Sequence, residues 1–127
     1  GALDAVVFDI GTTCARAGFS GEEAPRVISA SAVGNYVNAS GEAKMLVDLE
    51  NLSADIERRI EIRRVGQMHY EEREELIGHI LAHGFLALGA QPAEHPVLLS
   101  EDAAASAASR RRTAEMLFER FGVPALC

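Results

Sequence analysis

A chain of 127 residues with a net charge of −7 can bury one modest core, and it offers no broad cationic surface for nucleic acid. Nearly half of its residues (48%) are apolar, as in a soluble globular domain, yet no apolar run approaches the roughly twenty residues of a membrane-spanning helix. Two cysteines are too few for a disulfide framework, so a reducing compartment is expected, and Gly1 in place of Met implies a processed or trimmed terminus.

Three short strands are predicted first, over residues 4–10, 13–19 and 26–30. Val6-Val7-Phe8 is a continuous run of β-formers, which suits a strand covered on both faces. Gly11-Thr12 and the turn-rich residues 20–25 separate the strands. Residues 35–55 are polar and lack a clear period, which predicts a surface insertion with one strand over 44–49. Charge alternates with Ile over 56–65, where a strand over 59–64 is favoured over a short helix. Leu76, Ile77, Ile80, Leu81, Phe85 and Leu88 make one face of a helix over 71–88, and its acidic first turn suits the helix dipole. Gly78 and Gly84 each weaken that helix by about 1 kcal/mol relative to Ala, so packing must hold it. Residues 96–100 read as a buried strand reached by a crossover and therefore parallel to the first. A second helix over 107–121 carries Ala114, Leu117, Phe118 and Phe121 on one face and stops at Gly122. The order implies an α/β fold, a mixed sheet with helices packed on it.

The first hairpin holds the chemistry. A strand ends in Asp9, turns through Gly11, Thr12 and Thr13, and sets out again past Cys14 toward Arg16. Gly11 can adopt a backbone angle closed to other residues and lets the main chain approach a ligand. Successive N–H groups in such a turn form an anion-binding concavity. Asp9 would hold a hydrated Mg²⁺, and Arg16 would face phosphate. The same residues also suit an ordinary tight turn with a satisfied Asp, and on these residues alone the two alternatives stand level.

Other constellations carry less. Glu75, His79 and His83 have metal-ligand spacing on one helix but lack further ligands, so no metal is expected there. His95 is expected to bond to backbone at a strand entry. Glu101 could face a cleft at the strand's carboxyl end, although a bond to the following helix start is favoured. Ser100 and Ser109 have no His–Asp support. Arg110-Arg111-Arg112 reads as a solvated helix start rather than a DNA contact.

The Asp-x-Gly-Thr-Thr string resembles the first phosphate loop of the actin, Hsp70 and sugar-kinase superfamily. Residues 17–26, Ala-Gly-Phe-Ser-Gly-Glu-Glu-Ala-Pro-Arg, resemble the segment that follows this loop in actins and actin-related proteins. Ser31-Ala32-Val33-Gly34 is similar to the actin string closing the third strand, and Tyr70-Glu71-Glu72 to the entry of its first long helix. Glu94-His95-Pro96-Val97-Leu98-Leu99-Ser100-Glu101 looks like the actin Glu-His-Pro-Val-Leu-Leu-Thr-Glu, and the likeness continues to Ala125.

This resemblance implies the N-terminal half of an actin-like (ribonuclease H-like) ATPase fold. Residues 1–34 and 63–127 would belong to the large subdomain and 35–62 to a small inserted one. It implies ATP or ADP with Mg²⁺, bound by Gly11, Thr12, Thr13, Cys14 and Arg16, with Asp9 reaching the metal through water. Arg16 replaces a Lys of actins, the residues over 35–62 do not resemble actin's protomer-gripping loops, and residues 103–107 lack actin's prolines. These departures favour a divergent actin-related protein over a filament former. The residues around Asp9 resemble nuclear members found in chromatin-remodelling and histone acetyltransferase complexes. A nuclear structural subunit with protein partners, among them actin, is therefore expected, with no membrane or direct nucleic-acid contact. Alternatives are a cytoplasmic, cytoskeletal relative (a filament or dynactin-type component) and a sugar-kinase-type phosphotransferase. The family's second phosphate loop and catalytic residues have no counterpart up to Cys127, so the chain alone is expected to bind ATP weakly and not to hydrolyse it.

Overall fold

The computed structural model describes residues 4–47, 49, 50, 52–65, 68–101 and 106–127. Along the chain these form β1 (Val6–Ile10), β2 (Cys14–Phe19), β3 (Val27–Ala30), β4 (Ala32–Val37), β5 (Ala43–Leu46), α1 (Ala54–Arg59), β6 (Glu61–Arg64), α2 (Tyr70–Leu88), β7 (Val97–Glu101) and α3 (Ala107–Glu119). One sheet has the strand order β3-β2-β1-β7 and the other β5-β4-β6. The first three strands are an antiparallel meander, and β7 returns through α2 to lie parallel to β1, as its crossover connection requires.

Alternation along β1 buries Val6, Phe8 and Ile10 and turns Val7 and Asp9 to the other face. The apolar run had suggested cover on both faces. Among the described residues the helices cover one face only, and Ile28 and Leu98 are 59% and 45% exposed. A continuous run of β-formers reports β propensity, not which element lies over each face.

Leu76, Ile80, Leu81 and Phe85 of α2 are buried in one cluster with Val6, Phe8 and Ile10 of β1 and Ala15 and Ala17 of β2, with Ile77 and Leu88 half-buried beside them. The helix ends at Gly89, whose φ of 65° places it in the left-handed region while its N–H reaches the Leu86 and Phe85 carbonyls. The two interior glycines now have a packing reason. A Cβ on Gly84 would run into the Phe8 ring, 2.9 Å from Cζ and closer still to Cε1. A Cβ on Gly78 would stand 2.8 Å from Arg120 Nη1 and 3.2 Å from Met116 Sδ, so this glycine admits α3. Phe8 also meets Phe85 edge to face, with centroids 5.2 Å apart.

The second helix starts as predicted but ends at Glu119, two residues early, and its buried seam is Thr113 and Leu117, while Phe118 is 47% exposed. Thr113 tolerates the core because its hydroxyl donates to the Ser109 carbonyl at 3.1 Å. Ser106 caps the helix by accepting the Ser109 N–H at 3.0 Å. The bond expected from Glu101 to this helix start is not found among the described residues, and Glu101 Oε1 has no hydrogen-bond partner. The stretch lacking prolines falls partly on residues 102–105, outside the described residues.

The predicted insertion carries the expected strand, as β5 over Ala43–Leu46, and more structure than the sequence reading gave it. Residues 35–37 extend β4, which pairs with β5 on one side and β6 on the other. Asn38 Oδ1 accepts the N–H groups of Ser40 and Glu42, and Gly41 takes φ 81°, which closes the β4–β5 hairpin. The strand expected over 59–64 is split: Arg59 ends α1, and β6 begins at Glu61. Ser53 caps α1 by accepting the Ile56 N–H. Polar side chains on a small, half-solvated sheet hide the period that would have marked its strands.

Gly84→Ala raises intrinsic helix propensity by about 1 kcal/mol yet is expected to destabilise the fold by about 1–3 kcal/mol through overpacking against Phe8. Urea denaturation reads the change, and adding Phe8→Leu should recover part of the loss.

Candidate functional site

The β1–β2 hairpin is closed by the Gly11 N–H donating to the Cys14 carbonyl at 3.0 Å. Gly11 has the freedom to take a backbone angle closed to other residues. The positive-φ glycines of the described chain are Gly21, Gly41, Gly89 and Gly122, so Gly11 does not use that freedom. Close approach explains it better, because an added Cβ would lie 3.2 Å from the Cys14 oxygen.

The sheet register brings distant residues into one row on the open face. Asp9 pairs with Arg16 on β2 and with Ser100 on β7, and Arg16 pairs with Ile28 on β3. The row therefore runs Ile28, Arg16, Asp9, Ser100, one step before the turn. Arg16 Nη1 stands 3.5 Å from Asp9 Oδ2, and the two side chains are 50% and 49% exposed. Such a long, solvated contact contributes about 0–1 kcal/mol, so it yields readily to a ligand charge. Both side chains line a cavity of about 430 Å³, which continues past Val7 and Leu98 to Phe19 and Pro25. Its far wall is apolar. Phe19 is held there by the Arg26 guanidinium, 5.2 Å from its ring centroid, and Arg26 also bonds Glu22 at 3.0 Å.

Thr12 and Thr13 stand at the exposed tip of the turn. Among the described residues, neither of their N–H groups has a backbone partner. Two unspent N–H donors beside two hydroxyls fit an oxyanion. The turn lies at the edge where the parallel strands β1 and β7 both end, where ligands of α/β sheets gather. One carboxylate beside the turn suits Mg²⁺, which keeps most of its waters. No group of three His, Cys, Asp or Glu side chains is placed to cage a metal among the described residues. Asp9 and Arg16 are thus brought together at the large cavity, whereas Gly11 and Thr12 line a smaller space beneath the turn. Cys14 is a half-buried free thiol on β2. His95 behaves as expected: it is buried, with Nδ1 2.9 Å from the Asp4 carbonyl oxygen.

Ser31 has a role that residue-type reasoning missed. It is 2% exposed, its hydroxyl donates to the Gly11 carbonyl at 2.6 Å, and its N–H donates to the Thr13 carbonyl at 3.0 Å. Its own carbonyl accepts the Val65 N–H at 3.1 Å. One serine thus ties the turn to both chain crossings into the second sheet. Its place in the Ser-x-Val-Gly string was the only signal, and that string was read as a strand end.

An antiparallel meander, a crossover helix and a parallel fourth strand, with an Asp-x-Gly turn at their common edge, define an actin-like α/β lobe. The actin family model matches residues 1–127, and the chain belongs to the actin family. It is similar to actin-related protein 4 of Oryza sativa, in both the indica and japonica subspecies, at 25% identity over 98% of this chain and 34% of the relative. It is also similar to actin-related protein 5 of Arabidopsis thaliana, at 32% identity over 95% of this chain and 18% of the relative. The chain spans about a third or less of the length of these curated relatives. It is a divergent, actin-related sequence.

Ser31→Ala leaves the Gly11 carbonyl without its donor and is expected to lower stability by about 1–3 kcal/mol. A urea midpoint equal to wild type would show that the hydroxyl does not hold the turn.

Proposed function

We propose that this chain contributes one jaw of a nucleotide clamp in a divergent actin-related protein, a structural subunit of a nuclear multiprotein assembly of the chromatin-remodelling or histone acetyltransferase kind. The observation that carries the nucleotide reading is the turn itself: two unspent N–H groups at Thr12 and Thr13, one strand residue beyond the Asp9–Arg16 row. The Thr12 and Thr13 N–H groups and hydroxyls receive phosphate oxygens, and Gly11 keeps the main chain close. Arg16 adds positive charge, and Cys14 keeps the start of β2 slim beside the turn. When bound, Mg²⁺ neutralises phosphate charge, and Asp9 would hold it through its waters. The nuclear assignment is supported by the residues around Asp9 and by likeness to relatives named actin-related proteins 4 and 5. Partners would be other protein subunits, actin among them.

Residues 35–62 are assigned to a small inserted subdomain, and residues 1–34 and 63–127 to the larger one. Support comes from the separate pairing of β4, β5 and β6. ATP would act chiefly as a closing ligand. At a hundred times its dissociation constant it stabilises the folded state by about 2.7 kcal/mol. Hydrolysis is not assigned to this chain.

In the full-length polypeptide, Asp9→Ala combined with Gly11→Val should weaken Mg·ATP binding at least about tenfold, or about 1.4 kcal/mol, by titration calorimetry. Affinity within about twofold of wild type would overturn the hairpin assignment. Sedimentation of the full-length protein in polymerising salt with ATP is expected to leave it in the supernatant. Nucleotide-dependent pelleting would favour a cytoskeletal relative instead. Mass spectrometry of co-purifying subunits tests the nuclear assembly.

A further inference from the structure

The site already described uses the outer side of the hairpin, and its underside has a separate feature. Ile10 pairs with Glu101 across the parallel strands, so Glu101 leaves the sheet on the side that carries α2. Its Oε1 is closed off from solvent and has no hydrogen-bond partner among the described residues. Buried carboxylate oxygens are almost always satisfied, by protein or by ordered water. Ser106 accepts the Ser109 N–H of the neighbouring helix start, and Glu101 Oε1 takes none of that turn's remaining N–H groups. Beneath the turn lies a cavity of about 30 Å³ lined by Gly11, Thr12, Arg73, Glu101 and Ser109, over apolar residues of α2. That volume exceeds the roughly 10–15 Å³ one water needs, and Gly11, Thr12, Arg73, Glu101 and Ser109 supply polar groups in its lining.

We propose that Glu101 is a positioning residue that supports the Gly11-Thr12 turn from below through an ordered water in this cavity. The inference rests on the nucleotide reading of the same turn. The water accepts or donates to the turn and to Ser109 or Arg73 while donating to Glu101 Oε1. It thereby keeps the Thr12 and Thr13 N–H groups aimed outward at the phosphate position. Glu101 acts on the turn and not on the ligand.

The test compares wild type, Glu101→Gln and Glu101→Leu in the full-length polypeptide, with Mg·ATP affinity and urea midpoint measured on each. Gln keeps an oxygen for the water and should bind within about twofold of wild type, whereas Leu should bind about tenfold more weakly. The Leu variant should unfold at the same or a higher urea concentration, because it removes a buried carboxylate. A merely structural glutamate would lower stability and affinity together. A high-resolution crystal structure of the wild type should show a water within hydrogen-bonding distance of Oε1. A dry cavity, or a Leu variant that binds Mg·ATP like wild type, overturns the inference while leaving the nucleotide reading intact. A wild type that binds no Mg·ATP overturns both.

Discussion

The contact between the Phe8 ring and the bare backbone of Gly84 sets the spacing on which the rest of the lobe depends. α2 can accept the Phe8 ring against its backbone only because position 84 has no side chain. Phe85 and Phe121 continue the aromatic contact toward α3. Gly78 repeats the device one and a half turns earlier on α2, where Met116 and Arg120 of α3 come in. A helix with two interior glycines is intrinsically poor, and its stability comes from the sheet beneath it. The strand so anchored is the one that ends in Asp9, Ile10 and Gly11. Packing on one face therefore determines where the polar row sits on the other.

That polar row is weakly self-satisfied. Asp9 and Arg16 meet at 3.5 Å with half of each side chain in water, which leaves both charges available. The turn beyond them keeps two N–H groups unspent, while the hairpin is locked by the bonds of Gly11 to Cys14 and of Ser31 to Gly11 and Thr13. The support of the turn is thus rigid, while its tip at Thr12 and Thr13 is exposed. Ser31 joins this support to the small sheet through Val65, and the Arg63–Glu72 ion pair links β6 to the first turn of α2. These are two polar links of the second sheet among the described residues, and one of them is the underpinning of the turn.

Much of the architecture was legible from local patterns. The meander, the long helix, its crossover to a parallel strand and the Gly122 stop all follow from runs of apolar residues and turn chemistry. The small sheet was legible only in part: the strands over 44–49 and 59–64 were expected near β5 and β6, but Asn35 and Tyr36 sit on a strand whose faces are half wet, so the extension of β4 left no clean period. The seam of α3 was misplaced for a related reason. Thr113 counts as polar by type, yet a bond to its own helix carbonyl lets it replace Phe118 in the core.

By itself the amino-acid order determined which segments form strands and helices, which turn carries Asp, Gly and Thr together, and which family pattern they follow. These are properties of neighbours along the chain, where side-chain type and spacing suffice. Tertiary structure alone decided that Asp9 lies between Arg16 and Ser100, that Gly11 serves a close approach and not a special angle, and that Ser31 holds the turn. It also decided that Glu101 points beneath the turn with an unsatisfied oxygen. Those facts depend on strand register and on which groups meet across twenty or ninety positions of chain, and no local pattern encodes such meetings until the core has closed around Phe8.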